Sequence, residues 1–153
     1  LAALGELDIV TSTVAARRFG GPGSVVAASS RLGISIEQVL WSDRGAVLRA
    51  VSGADLVIST LPAGVADSLA EEMTVREGQV LLDVVYSPRE TALRSAFERN
   101  GGIVAEGTDM LIFQAAAQVQ LMTGRSPKTD VMRGALEAEL ARRARPSGGG
   151  AAS

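Results

Sequence analysis

Residues 54–86 read ADLVISTLPAGVADSLAEEMTVREGQVLLDVVY, and this stretch decides the fold. It opens and closes on nearly continuous apolar runs, ADLVIST at 54–60 and QVLLDVVY at 79–86, with the helical pattern VADSLAEEM between them. A strand apolar on both faces is one buried on both faces, as the strands of parallel sheets are. Two such strands joined by a helix predict a right-handed βαβ crossover.

The same alternation extends outward. Upstream, IVTSTVA (9–15) and IEQVLW (36–41) read as strands, while GSVVAASSRLG (23–33) and RGAVLRAVSG (44–53) read as helices ending in glycine. Downstream, RETALRSAFERNGG (89–102) is a helix with a double-glycine stop, GIVAEG (102–107) a last short strand, and GTDMLIFQAAAQVQLMTG (107–124) a strongly apolar helix. The prediction is an α/β protein with a doubly wound parallel sheet covered by helices on both faces. LAALGELDIV (1–10) reads as the last turns of a helix, a stop at Gly5 and then a strand, so an upstream portion is expected. RPSGGGAAS (145–153) has the composition of a flexible tail.

A chain of 153 residues that is 46% hydrophobic and 21% charged fits one globular domain with a real core. Its 17 acidic and 15 basic residues give a net charge of -2, which offers no field to attract nucleic acid or an anionic membrane. Cysteine and histidine are both absent, which excludes disulfides, thiolate nucleophiles, imidazole bases and the usual zinc ligands. No apolar run approaches the ~18 residues of a membrane span, and no signal-peptide pattern stands in the sequence. A cytoplasmic protein is expected, with no metal.

Parallel α/β sheets bind ligands at the carboxyl ends of their strands, so the loops at 16–18, 59–64, 83–88 and 106–109 should face one cleft. Arg17 and Arg18 follow the first strand, where an acidic residue would accept ribose hydroxyls of NAD and an arginine accommodates the extra phosphate of NADP. A solvated basic turn is the alternative reading of the pair. STLPAG (59–64) is a small, proline-turned loop that suits close approach of a sugar or nicotinamide. Ser87, Pro88 and Glu90 form a capping box that explains itself by helix initiation. Tyr86, the one tyrosine, stands where an apolar strand opens onto the cleft; a buried ring with a wet hydroxyl is the other reading. Thr108 is a plausible cap and Asp109 complements the positive end of the glutamine helix. Gln114 shares a helix face with Met110, Leu111, Ala117 and Leu121, where an amide needs a partner: a ligand, or core backbone. The glycines at 20–23, GGPG, follow the wrong strand for a phosphate-binding loop.

Three motifs then carry a resemblance: ADLVIST-x-PAG, LLDVVYSPRET and EG-x-DML-x-x-QAA-x-Q-x-x-LMTG are similar to the carboxyl-terminal part of shikimate dehydrogenases, over about Leu1 to Leu140. The resemblance implies a Rossmann-like doubly wound parallel sheet at 1–144, lacking its first strand and the separate catalytic domain. The implied activity is NADPH-dependent reduction of 3-dehydroshikimate to shikimate, by a monomer or homodimer. Under it, Gln114 contacts a substrate hydroxyl and Tyr86 lies beside substrate and nicotinamide. Val84 and Gly107 bring main chain to the nicotinamide. Ser59, Thr60 and Leu61 occupy a cofactor loop, and Arg17 and Arg18 fall where the family grips the 2′-phosphate. The family's Asn-Arg-Thr reads Ala16-Arg17-Arg18 here, and its Gly-Leu pair reads Gly107-Thr108. Neither Lys128 nor any aspartate matches the family's catalytic lysine and aspartate, which the resemblance puts upstream, so no catalytic residue is expected in this chain. A quinate/shikimate enzyme preferring NAD and a non-catalytic dinucleotide-binding module are the competing readings.

Overall fold

In the computed structural model, which describes residues 1–9, 11–85 and 90–144, strands and helices alternate along the chain. The order is α1 (Ala2–Gly5), β1 (Thr11–Ala16), α2 (Val25–Leu32), β2 (Ser35–Leu40), α3 (Arg44–Gly53), β3 (Leu56–Ser59), α4 (Asp67–Glu72), β4 (Val80–Asp83), α5 (Ala92–Arg99), β5 (Ile103–Glu106), α6 (Gly107–Thr123) and α7 (Thr129–Ala144). The tail read at 145–153, Tyr86, and the Ser87 and Pro88 of the expected capping box lie outside the described residues. Among the described residues no helix is long and apolar enough to cross a membrane.

Local chemistry sets the helix ends. Ser24 and Asp43 accept hydrogen bonds from the Ala27 and Ala46 amides and so cap α2 and α3. At its far end α2 stops on Gly33, whose φ of 66° closes the left-handed turn that a β-carbon resists. The expected capping box does not start α5. Thr91 is the N-cap, its hydroxyl oxygen accepting from the Arg94 amide at 3.1 Å.

All strand pairings are parallel, but the strands form two sheets, β1–β2 and β3–β4–β5, rather than the single expected one. A doubly wound order does not make β1 and β3 neighbours, so two separate parallel sheets are compatible with it. Val39 of β2, Val47 of α3 and Leu69 of α4 form a buried cluster that ties the two sheets together.

The main core covers one face of the three-stranded sheet. Crossovers β3–α4–β4 and β4–α5–β5 turn in the same sense, which puts α4 and α5 on the same side. There Leu81 and Phe97 are wholly buried, with Val75, Leu93 and Ala66 around them. The opposite face is not covered as the sequence suggested. Leu56 and Ile103 share a row with Val80, and both are exposed, as is Ile58 in the parallel row.

Gln79 and Arg76 fasten α3 to the start of β4. The Gln79 amide donates to the Val51 and Ala54 carbonyls while its oxygen accepts from the Arg76 N–H. The Arg76 guanidinium donates to the Ser52 and Ala54 carbonyls and to Asp55. These bonds close the end of α3, where backbone carbonyls would otherwise lack partners.

Candidate functional site

The parallel register lines up the carboxyl ends of three strands: Ser59 stands beside Asp83, and Asp83 beside Glu106. The residues that follow them, Thr60, Val84 and Gly107, therefore leave the sheet side by side. Four of the expected cofactor residues, Ser59, Thr60, Val84 and Gly107, are brought together in this way. Ser59 is buried and its carbonyl accepts from the Val84 N–H at 3.0 Å. Leu61 packs against the main core, so its side chain belongs to the scaffold rather than to the loop surface.

Gly107 is fixed by a close approach. A β-carbon there would lie 2.7 Å from the Asp83 carbonyl oxygen and 2.9 Å from the carbonyl carbon and oxygen of Val84. Only glycine lets the start of α6 sit against the backbone leaving β4. Main chain at Val84 and Gly107 is thus held in one place, as a surface for a flat ring requires.

Beneath this row, charged groups are organised around the ends of β4 and β5. Arg94 pairs with Glu98 at 2.8 Å and with Glu106 at 3.4 Å, and Glu106 also accepts from the Thr108 hydroxyl at 3.2 Å. Thr108 is therefore not the cap of α6. That position is Glu106, with Thr108 buried inside the first turn. Asp109 lies in the first turn as expected, and it forms an ion pair with Arg133 of α7. The cavity bordered by Asp83, Arg94, Glu106, Gly107 and Thr108 measures about 10 Å³, room for roughly one water. It is a seam in the scaffold and not a ligand pocket.

Arg17 and Arg18 leave the end of β1 exposed, and neither has an ion-pair or hydrogen-bond partner among the described residues. Two guanidinium groups with free donors at a strand end are suited to a phosphate. Gln114 stands on an open helix face. It is exposed, and the helix face it shares is not enclosed: α6 buries Gly107, Thr108 and Ile112, while Leu121 is 86% exposed. Its amide is thus open to an external partner instead of being a core amide bonded to backbone. Tyr86 lies outside the described residues.

Asp83 and Thr91 went unremarked as individual site residues. Asp83 is buried, accepting from the Val85 N–H at 3.3 Å and from the Thr91 hydroxyl at 2.9 Å. The signal was present, since an aspartate within LLDVV is a charge inside a buried strand and must find donors.

Comparison with known proteins finds likenesses to one family. The family described as Shikimate 5'-dehydrogenase C-terminal domain matches residues 107–137. The shikimate dehydrogenase (NADP(+)) of Methanothermobacter thermautotrophicus is 36% identical over 97 residues, covering 60% of this chain and 34% of the relative. The crystal structure of Mycobacterium tuberculosis shikimate dehydrogenase superposes with a TM-score of 0.73 at 35% identity, covering 84% of this chain and 48% of that one. For the shikimate 5-dehydrogenase of Mycobacterium fortuitum the TM-score is 0.74 at 33% identity, covering 88% of this chain and 49% of that one. The chain spans about a third of the length of the curated relative and about half that of the solved structures. Motifs, strand order and these likenesses converge: this chain is similar to the carboxyl-terminal region of the shikimate dehydrogenases.

Proposed function

We propose that this chain is the cofactor-binding part of an NADP-dependent shikimate dehydrogenase, which interconverts 3-dehydroshikimate and shikimate. The observation that carries the reading is the combination of two arginines at the end of β1, without partners among the described residues, and a glycine-fixed main-chain surface at the ends of β4 and β5. No acidic residue stands at the end of β1 to select NAD. Arg17 and Arg18 hold the 2′-phosphate by charge-assisted hydrogen bonds, while Ser59, Thr60, Val84 and Gly107 line the rest of the dinucleotide path. When bound, the nicotinamide supplies hydride transfer. Gln114 orients the substrate, because its amide offers both a donor and an acceptor to a hydroxyl. Proton transfer falls to groups of the complete enzyme beyond this chain.

The test is shikimate-dependent reduction of NADP by the complete enzyme, with NAD as comparison. Absence of turnover with shikimate would overturn the reading. In the same enzyme, Arg17→Ala or Arg18→Ala raises the NADP Kd about ten- to hundredfold and changes NAD binding little, since only NADP presents the extra phosphate. The difference shrinks as salt rises, because exposed charges are screened. Equal losses for the two cofactors would remove these arginines from the phosphate site.

Gln114→Ala lowers kcat/KM for shikimate by about five- to hundredfold and leaves NADP affinity within about twofold. Its exposure adds a second expectation: thermal unfolding is unchanged, because no buried bond is lost. A large fall in melting temperature with unaltered kinetics would contradict both.

A further inference from the structure

The reaction proposed above gives Asp83 no chemical step, yet this carboxylate is 94% buried, its residue keeping 6% of its surface exposed. Its two oxygens bridge the chain. Oδ1 accepts from the Val85 N–H at 3.3 Å and Oδ2 from the Thr91 hydroxyl at 2.9 Å, across eight positions of sequence. The Thr91 oxygen in turn accepts from the Arg94 amide as the N-cap of α5. Besides accepting from Arg94, Thr91 has a proton to give, and a carboxylate can receive it while also receiving the Val85 N–H. An amide whose oxygen stays on the Val85 N–H turns its NH2 toward Thr91, which reverses that bond and removes its charge assistance.

The bridge acts on main chain held from two other directions. The Val84 N–H, of the preceding peptide, donates to the Ser59 carbonyl of β3, and Gly107 of α6 sits against the Val84 carbonyl. Asp83 holds the N–H of that same Val84–Val85 peptide. Together the three contacts leave the Val84–Val85 main chain little freedom at the centre of the three-stranded row.

We propose that Asp83 and Thr91 are positioning residues for the nicotinamide end of the bound dinucleotide, holding the main chain of Val84 and Val85 where the ring packs. This rests on the cofactor reading above, in which Arg17 and Arg18 take the phosphate-bearing adenosine end at β1 and leave the other end to the termini of β4 and β5.

The experiment measures, in the complete enzyme, the Kd for NADPH and for 2′,5′-ADP, which has the adenosine half and no nicotinamide. Asp83→Asn and Thr91→Val each weaken NADPH about tenfold and leave 2′,5′-ADP within about twofold, as loss of one hydrogen bond to a charged group would. Because the two residues act through one bridge, the double variant is no worse than the weaker-binding single variant. Thr91→Ser keeps the hydroxyl and binds both ligands as the parent does. If Asp83→Asn does not yield folded protein, the Thr91→Val and Thr91→Ser pair decides the matter. Equal weakening of both ligands, or additive losses in the double variant, would overturn the inference while wild-type binding leaves the cofactor reading standing. A wild-type enzyme that binds neither ligand would overturn the cofactor reading, and this inference with it.

Discussion

Gly107→Ala lowers the stability of the chain by about 3 kcal/mol, a fall of roughly 6 to 12 °C in melting temperature for a domain of this size. The added methyl group would stand 2.7 Å from the Asp83 carbonyl oxygen and 2.9 Å from the Val84 carbonyl. Those atoms are backbone, tied to β3 and β5 by the ladder, so they cannot swing aside as the end of a long side chain would. Relief has to come from a shift of α6 or of the β4 exit, and either disturbs the surface proposed for the cofactor. NADP binding by the complete enzyme is therefore expected to fall along with stability. The same substitution at Gly53, where a β-carbon meets nothing within 4 Å, is the control and lacks this penalty. Comparable melting temperatures for the two variants would show that the close approach does not exist in solution.

The second large effect belongs to Phe97. Its ring is wholly buried between α5 and the sheet, and it lies close enough to Gly102 that a β-carbon there would come within 2.9 Å of Cδ1. Phe97→Ala removes most of this packing and leaves a cavity under Leu81 and Leu93, at a cost of about 4 kcal/mol. Phe97→Leu fills most of the space and costs roughly 1 kcal/mol. Urea denaturation of both variants checks the ratio, with a lower midpoint and an unaltered slope as the expected form. α5 carries Thr91 at its head, so the alanine variant also loosens the Asp83 bridge, whereas the leucine variant leaves it in place.

Much of the architecture was legible because apolar runs and caps are local signals. RGAVLRAVSG at 44–53 coincides with α3, where Asp43 caps the start. Strand ends were less legible. The apolar run after Gln79 continues to Tyr86, but the ladder stops at Asp83, since the partners β3 and β5 end at Ser59 and Glu106. Where α5 begins was also less legible. The Ser87–Glu90 box put the start at Pro88, whereas α5 begins at Ala92 with Thr91 as its N-cap, and the bond from the Thr91 hydroxyl to Asp83 is one that no capping pattern announces. Division into two sheets has no local signal either, because it depends on whether β2 and the later β3 pair, and they do not.

The site was legible by spacing and misread in its surroundings. Helical periodicity told which face of α6 is apolar, and it contained nothing about whether another layer covers that face. Gln114 and Leu121 turned out exposed for that reason. The arginines at 17 and 18 were placed correctly at a strand end, and their lack of partners emerged only with the surrounding side chains present.

The way α6 is anchored makes it a lever. Its 17 residues extend about 25 Å, while its buried positions, Gly107, Thr108 and Ile112, all fall in the first two turns. Gln114 sits seven residues from the pivot, so a tilt of about 5° at Gly107 carries its amide through roughly 1 Å. Displacements of that size are enough to cost about a hundredfold in rate when a group must meet its target in one geometry. Rigidity at a single glycine thus sets the aim of a side chain two turns away. The ion pair from Arg133 to Asp109 acts close to the fulcrum, where a short lever arm gives it little hold on the angle, so the aim of the tip rests chiefly on the glycine contact.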